Sequence, residues 1–144
     1  MPTITNAIDV NANPDAVWRV LGDLPATRDW LPGVVSVRID GDVRICRMAD
    51  GQEVHEKISD VSHEHRSYRF EHLRVALPVR RSGGVFTVTQ GPDQDTATVT
   101  LRTTFEPLDP AGVDQLTDMM RGAFQQSLDS LRRLVEDKLK WDSH

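Results

Sequence analysis

The chain has 144 residues, 38% of them hydrophobic, which is the size of one domain with a single core rather than two. Its net charge of -5 argues against a nucleic-acid partner, and the Arg80–Arg81 and Arg132–Arg133 pairs are too short to reverse that. Cys46 is the only cysteine, so an internal disulfide is excluded and a reducing cytoplasm is expected.

The opening MPTITNAIDV has neither the basic nor the apolar region of a signal peptide. No apolar run approaches the ~18 residues of a membrane span. The expectation is a cytoplasmic protein, a single domain over residues 1–144, with no stable membrane insertion.

In chain order, Thr3 to Ala12 alternates apolar and polar residues and reads as a strand. Asn13-Pro14 is a helix start: Asn as N-cap, Pro in the first turn, Asp15 close behind. Val17, Val20, Leu21 and Leu24 follow at helical spacing, with Trp18 just off the stripe, and Pro25 ends the helix. Thr27 to Leu31 is a short second helix or turn, closed by Pro32-Gly33.

Strands separated by turns come next: Val34 to Asp40, Val43 to Met48, Gln52 to Val61, Ser67 to Ala76, Val85 to Gln90 and Thr96 to Phe105. Asp50-Gly51 suits a tight hairpin. Gly83-Gly84 reads as a bulge at the start of its strand. Asp109-Pro110 opens a last helix, whose stripe from Val113 through Leu116, Met120, Phe124, Leu128 and Leu131 to Leu139 covers about 30 residues, roughly 45 Å. Such a helix can lie across a curved antiparallel sheet, and the two can enclose a cleft of the kind that holds ligands.

The order of these elements, together with NPDAVWRVLGD, RDWLPGV, GDVRICRMADGQEVHEKI, YRF, LPV and TVTLRTTFEPL, resembles the START/Bet v 1-like (SRPBCC) superfamily. Within it the chain is similar to the bacterial polyketide cyclase/dehydrase and lipid-transport group over nearly its whole length. The resemblance implies an α+β helix-grip fold: a seven-stranded antiparallel sheet gripping the C-terminal helix, with two short helices closing one end. It also implies an apolar small-molecule ligand. Trp18 and Trp30 match the family's tryptophans in the first helix and the W-x-P-G turn. Arg44, Glu56 and Tyr68 match strand positions, and Leu77-Pro78 matches a gate loop at the cavity entrance. Two departures remove aromatics from the expected pocket: Ser82 stands where many relatives carry Tyr, and Leu101 where many carry Trp. Trp18 is then expected to be structural and Trp30 to lie near the cavity.

Strand parity tests the site independently of the family. Val54, Glu56 and Ile58 share a face, which the apolar pair marks as buried. Tyr68, Phe70 and His72 share another, which Phe70 turns inward. On the third strand Arg44, Cys46 and Met48 oppose Val43, Ile45 and Arg47, and parity alone does not choose; the resemblance places Arg44 inside.

The expected site is a polar cluster in an apolar pocket. Glu56, Tyr68 and His72 are the candidate acid–base groups. Trp30, Arg44, Glu56, Tyr68, Phe70, Leu77, Ser82, Leu101, Thr103, Met120 and Phe124 are the expected ligand contacts. The competing reading makes Arg44 and Glu56 a structural buried pair.

His63 and His65 fall in a turn, and His55 faces away from Glu56. Neither a metal-ligand grouping nor a cofactor motif is present, so no metal and no cofactor are expected. Cys46 reads as a small buried hydrophobe. Three functions remain open: a carrier of an apolar molecule such as a polyketide, lipid, quinone or isoprenoid; a cyclase or dehydratase acting on such a molecule; and a module whose gate loop recruits a protein partner on ligand binding. The protein is expected to be a monomer or homodimer.

Overall fold

The computed structural model describes residues 1–142. Strand β1 (Thr3–Val10) leads to helix α1 (Pro14–Leu21) and a 3-10 helix (Leu24–Asp29). Six strands follow: β2 (Val34–Asp40), β3 (Val43–Met48), β4 (Glu53–Ser62), β5 (Ser67–Arg74), β6 (Val79–Gln90) and β7 (Ala97–Pro107). One turn of 3-10 helix (Pro110–Gly112) then opens α2 (Val113–Asp142). The strands form one antiparallel sheet in the order β1-β7-β6-β5-β4-β3-β2. The chain therefore leaves one edge of the sheet after β1 and re-enters at the other with β2, and α1 and the first 3-10 helix make that crossing.

Local chemistry fixes the ends of these elements. The Asn13 side chain accepts a hydrogen bond from the Ala16 amide at 2.9 Å, capping α1. Asp109 does the same for Ala111 at 3.0 Å ahead of α2. Helix α1 stops at Leu21, one turn short of the expected end, and the following 3-10 helix starts at Leu24, before the expected Thr27. Helix α2 is tied to edge strand β1 by Asn6, whose Nδ2 donates to the Arg121 carbonyl at 3.1 Å and to Gln125 Oε1 at 2.9 Å.

The largest departure from the sequence reading is β6, which begins at Val79 rather than Val85. Gly83 and Gly84 lie within the strand, and the register shift falls earlier, between Val79 and Arg81. These glycines are needed for close approach. A Cβ at Gly83 would stand 2.6 Å from the Phe70 carbonyl oxygen; one at Gly84 would stand 2.8 Å from the Arg102 carbonyl oxygen and 2.9 Å from Phe70 Cζ.

The core has two parts. The larger gathers Trp18, Trp30, Tyr68, Phe70 and Phe86 with Leu128, Leu131 and Val135 of α2. The smaller joins Ile4, Phe105, Leu116 and Met120. Phe124 packs against both. No helix among the described residues is long and apolar enough to cross a membrane.

Candidate functional site

A cavity of about 310 Å³ lies between the concave face of the sheet and α2. Phe70, Phe86, Leu101 and Phe124 form much of its apolar wall. Its exposed lining residues mark the mouth: Pro32 after the Trp30 turn, Asp50 and Gln52 in the β3–β4 hairpin, and Ala76 in the β5–β6 loop.

The inner end is polar, and the sheet register builds it. Arg44 on β3 sits directly across from Glu56 on β4, and Glu56 across from His72 on β5. All three side chains point inward, because they alternate with outward-facing neighbours. Arg44 Nε donates to Glu56 Oε1 at 3.0 Å, and its Nη1 lies 3.0 Å from Thr27 Oγ1 and 3.2 Å from the Tyr68 hydroxyl. His72 Nε2 stands 3.6 Å from Glu56 Oε2, and its Nδ1 lies 2.6 Å from Ser82 Oγ on β6. A polar row thus crosses four strands, with Arg44 only 1% exposed and Glu56 5%.

Burial and neighbours set the protonation states. Burial alone would lower the Arg44 pKa, but Tyr68 and Glu56 together hold the guanidinium charged, above its ordinary value. Burial pushes the Tyr68 phenol up, so it stays protonated. Burial also lowers His72, only partly opposed by the Glu56 carboxylate, so the imidazole is neutral at pH 7. The Cys46 thiol is pushed up to about 11, first by burial and then by Glu56, which leaves it a poor nucleophile. The row therefore offers a neutral imidazole beside a carboxylate at the end of an apolar chamber. That arrangement can orient a polar end of a ligand or exchange a proton with it.

Of the residues expected at the site, Trp30, Arg44, Glu56, Phe70, His72, Leu77, Leu101 and Phe124 line the cavity. The other four do not. Tyr68 is fully buried between Trp18 and Phe86, with ring centroids 6.2 and 5.3 Å away, and reaches the cavity only through Arg44. Ser82 is buried behind His72. Thr103 is fully buried between its partners Ile4 and Gly84, with no hydrogen-bond partner for its hydroxyl among the described residues. Met120 packs in the smaller core, where α2 lies against β1.

Cys46, Met48 and Val54 line the cavity and were readable by parity with Arg44 and Glu56. Phe86 also lines it; it lay within the expected strand Val85 to Gln90 and shares the inward face of β6 with Val88. Trp18 is structural: it donates from Nε1 to His63 Nδ1 at 3.0 Å. Among the described residues no group of three or more His, Cys, Asp or Glu could hold a metal ion.

A curved seven-stranded sheet closed on a long helix around an internal cavity defines the helix-grip fold. The profile of the polyketide cyclase/dehydrase and lipid transport family matches residues 1–136, and the chain belongs to that family. The fold is shared with the XoxI protein of Bacillus cereus, at 23% identity and a TM-score of 0.87, covering 95% of this chain and 97% of that one. The di-domain ARO/CYC protein BexL is 19% identical with a TM-score of 0.83, covering 94% of this chain and 47% of its own. Norcoclaurine synthase from Thalictrum flavum, solved in complex with dopamine and hydroxybenzaldehyde, is 21% identical with a TM-score of 0.74, covering 94% of this chain and 87% of its own. No curated protein matches the chain.

Proposed function

We propose that the protein binds an apolar small molecule of the polyketide, lipid, quinone or isoprenoid kind in the cavity and carries it through the cytoplasm. The observation that carries this reading is the form of the chamber: about 310 Å³, walled by aromatic and aliphatic side chains, with its buried charged groups, Arg44 and Glu56, together at the inner end and already paired. Paired charges leave the walls free to take apolar surface, worth roughly 25 cal/mol per Å² removed from water. The buried Cys46 fits a reducing compartment.

Native mass spectrometry of the purified protein, followed by solvent extraction, tests the reading. A co-purifying apolar molecule is expected, or saturable uptake of an apolar fluorophore by the empty protein. Failure of both removes the carrier function.

A second reading, a cyclase or dehydratase, draws on the neutral His72 facing Glu56 at 3.6 Å within the chamber. It makes His72 the proton-exchanging group, with Glu56 stabilising its charged form. Glu56→Gln is then expected to abolish turnover of a polyketide-like substrate and spare its binding. Turnover retained by that variant would end the catalytic reading.

A further inference from the structure

The outer face of the sheet carries a second cluster that the cavity does not use. Ile45 on β3 points away from the chamber, yet it is only 7% exposed. An outward isoleucine is hidden only when neighbouring side chains lie over it. In the register it stands between Arg38 on β2 and His55 on β4, and His55 pairs with Arg74 on β5. Arg47, two residues along β3, is directly opposite Glu53. Arg38, Arg47 and Arg74, all exposed, line one concavity with Ile45, and long stems of this kind can cover apolar surface while their charged ends stay in water.

This cluster is short of counter-charge. None of the three guanidiniums forms a hydrogen bond or ion pair among the described residues. Glu53 is the one carboxylate in the concavity, and His55 Nε2 engages it at 3.0 Å. That hydrogen bond, with Arg38 and Arg74 nearby, holds the Glu53 carboxyl below its ordinary range. Three guanidiniums against one carboxylate leave two positive charges on a chain whose net charge is -5. Gathered like charges cost free energy that a bound anion offsets. Planar guanidinium forks also match tetrahedral oxyanions, and three forks offer more donors than one carboxylate accepts.

The cluster adjoins the cavity mouth. Gly51 lines the concavity, while its neighbours Asp50 and Gln52 line the chamber, so a single hairpin separates the two. The Asp50 carboxylate at the mouth accepts from the Gln52 amide within the hairpin at 2.9 Å.

We propose that Arg38, Arg47 and Arg74 form a phosphate site beside the mouth. It takes either the phosphate end of a ligand whose apolar part enters the cavity or the phosphate of an anionic lipid headgroup from which such a ligand is drawn. The link to the cavity rests on the carrier reading; phosphate binding at the arginines does not.

Inorganic phosphate is titrated first, at low ionic strength, and followed by amide NMR shifts. Saturable shifts centred on Ser36 and Gly51 are expected. They should weaken at least about tenfold in Arg38→Gln/Arg74→Gln and persist in Arg80→Gln/Arg81→Gln, which removes equal charge elsewhere. Non-saturating shifts, or equal loss in both double variants, overturn the site.

Geraniol is then compared with geranyl phosphate, and phosphatidylcholine vesicles with vesicles also containing phosphatidylglycerol. Tighter binding of geranyl phosphate that disappears in Arg38→Gln/Arg74→Gln assigns the site to the ligand. Arginine-dependent binding of the phosphatidylglycerol vesicles alone assigns it to a headgroup. No arginine-dependent preference in either pair overturns both assignments, to the ligand and to a headgroup. Phosphate shifts at the cluster with no uptake of geraniol or an apolar fluorophore would support the phosphate site and count against the carrier reading.

Discussion

Replacing Arg44 by Met tests whether the polar row at the inner end of the cavity stabilises the fold or costs it stability. Arg44 is 1% exposed and meets Glu56, Thr27 and Tyr68 within 3.2 Å. Removing it strands the Glu56 carboxylate, 5% exposed, with only the Cys46 thiol and a neutral imidazole beside it. Leaving one member of a buried pair uncompensated costs about 3–5 kcal/mol. In Arg44→Met/Glu56→Leu no buried charge is stranded. Thr27 still donates to the Leu24 carbonyl at 2.6 Å. The Tyr68 hydroxyl loses its arginine, a loss of about 1–2 kcal/mol. The double variant should therefore recover about 1–4 kcal/mol of the single variant's loss. Urea unfolding, extrapolated to water, reads both values. A double variant no more stable than the single would refute the reasoning, because the row would then be held by contacts other than the ion pair. The double variant also separates stability from binding: if it folds but loses uptake of an apolar fluorophore, the pair serves the ligand.

Gly84→Ala forces a Cβ to 2.8 Å from the Arg102 carbonyl and 2.9 Å from Phe70 Cζ, and should destabilise by about 1–3 kcal/mol or more in the same assay; a neutral result would mean that β6 is looser than described. His72 has a folded pKa below its ordinary 6.5, so the unfolded chain takes the proton first as pH falls. Stability should drop from about pH 6.5 down to the depressed folded value and level off below it, and His72→Gln should remove that part of the slope; a difference curve of opposite sign contradicts burial as the cause. Leu101→Trp places a large ring in the chamber and should abolish fluorophore uptake with the melting temperature within about 5 °C of wild type; retained uptake would place the binding site elsewhere.

Short-range pattern made much of this architecture readable. Apolar neighbours on β4 and β5 fixed the faces of Glu56 and His72, because a strand's period of two leaves no other choice once one face is buried. The α2 stripe was equally plain, but a stripe says which face is buried and not against what. Met120 and Phe124 are one turn apart on it, and only Phe124 lines the cavity. The contacts that escaped the sequence depend on pairing between strands or on non-repeating structure. Ser82 meets His72 because β6 begins at Val79, which the glycine pair obscured. Thr27 meets Arg44 because a 3-10 helix crosses the end of the sheet, and no periodic pattern announces that. The arginine cluster was invisible for a related reason: its members sit on β2, β3 and β5 and come to one face only when four strands pair.

The sheet order has a consequence for how the chamber comes into being. Edge strand β1 finds its partner only when β7 has been made, about a hundred residues later, and Asn6 finds its acceptors only on α2. Contacts that far apart carry a large loop-closure cost and close late. During synthesis the concave face of β2 to β6 lacks the cover that α2 gives it until that helix leaves the ribosome. Phe124 and Ser127 belong to that helix, so the chamber has no second wall before then. A molecule held against the half-built sheet would be enclosed as the helix docks, so first loading and final folding can be one event.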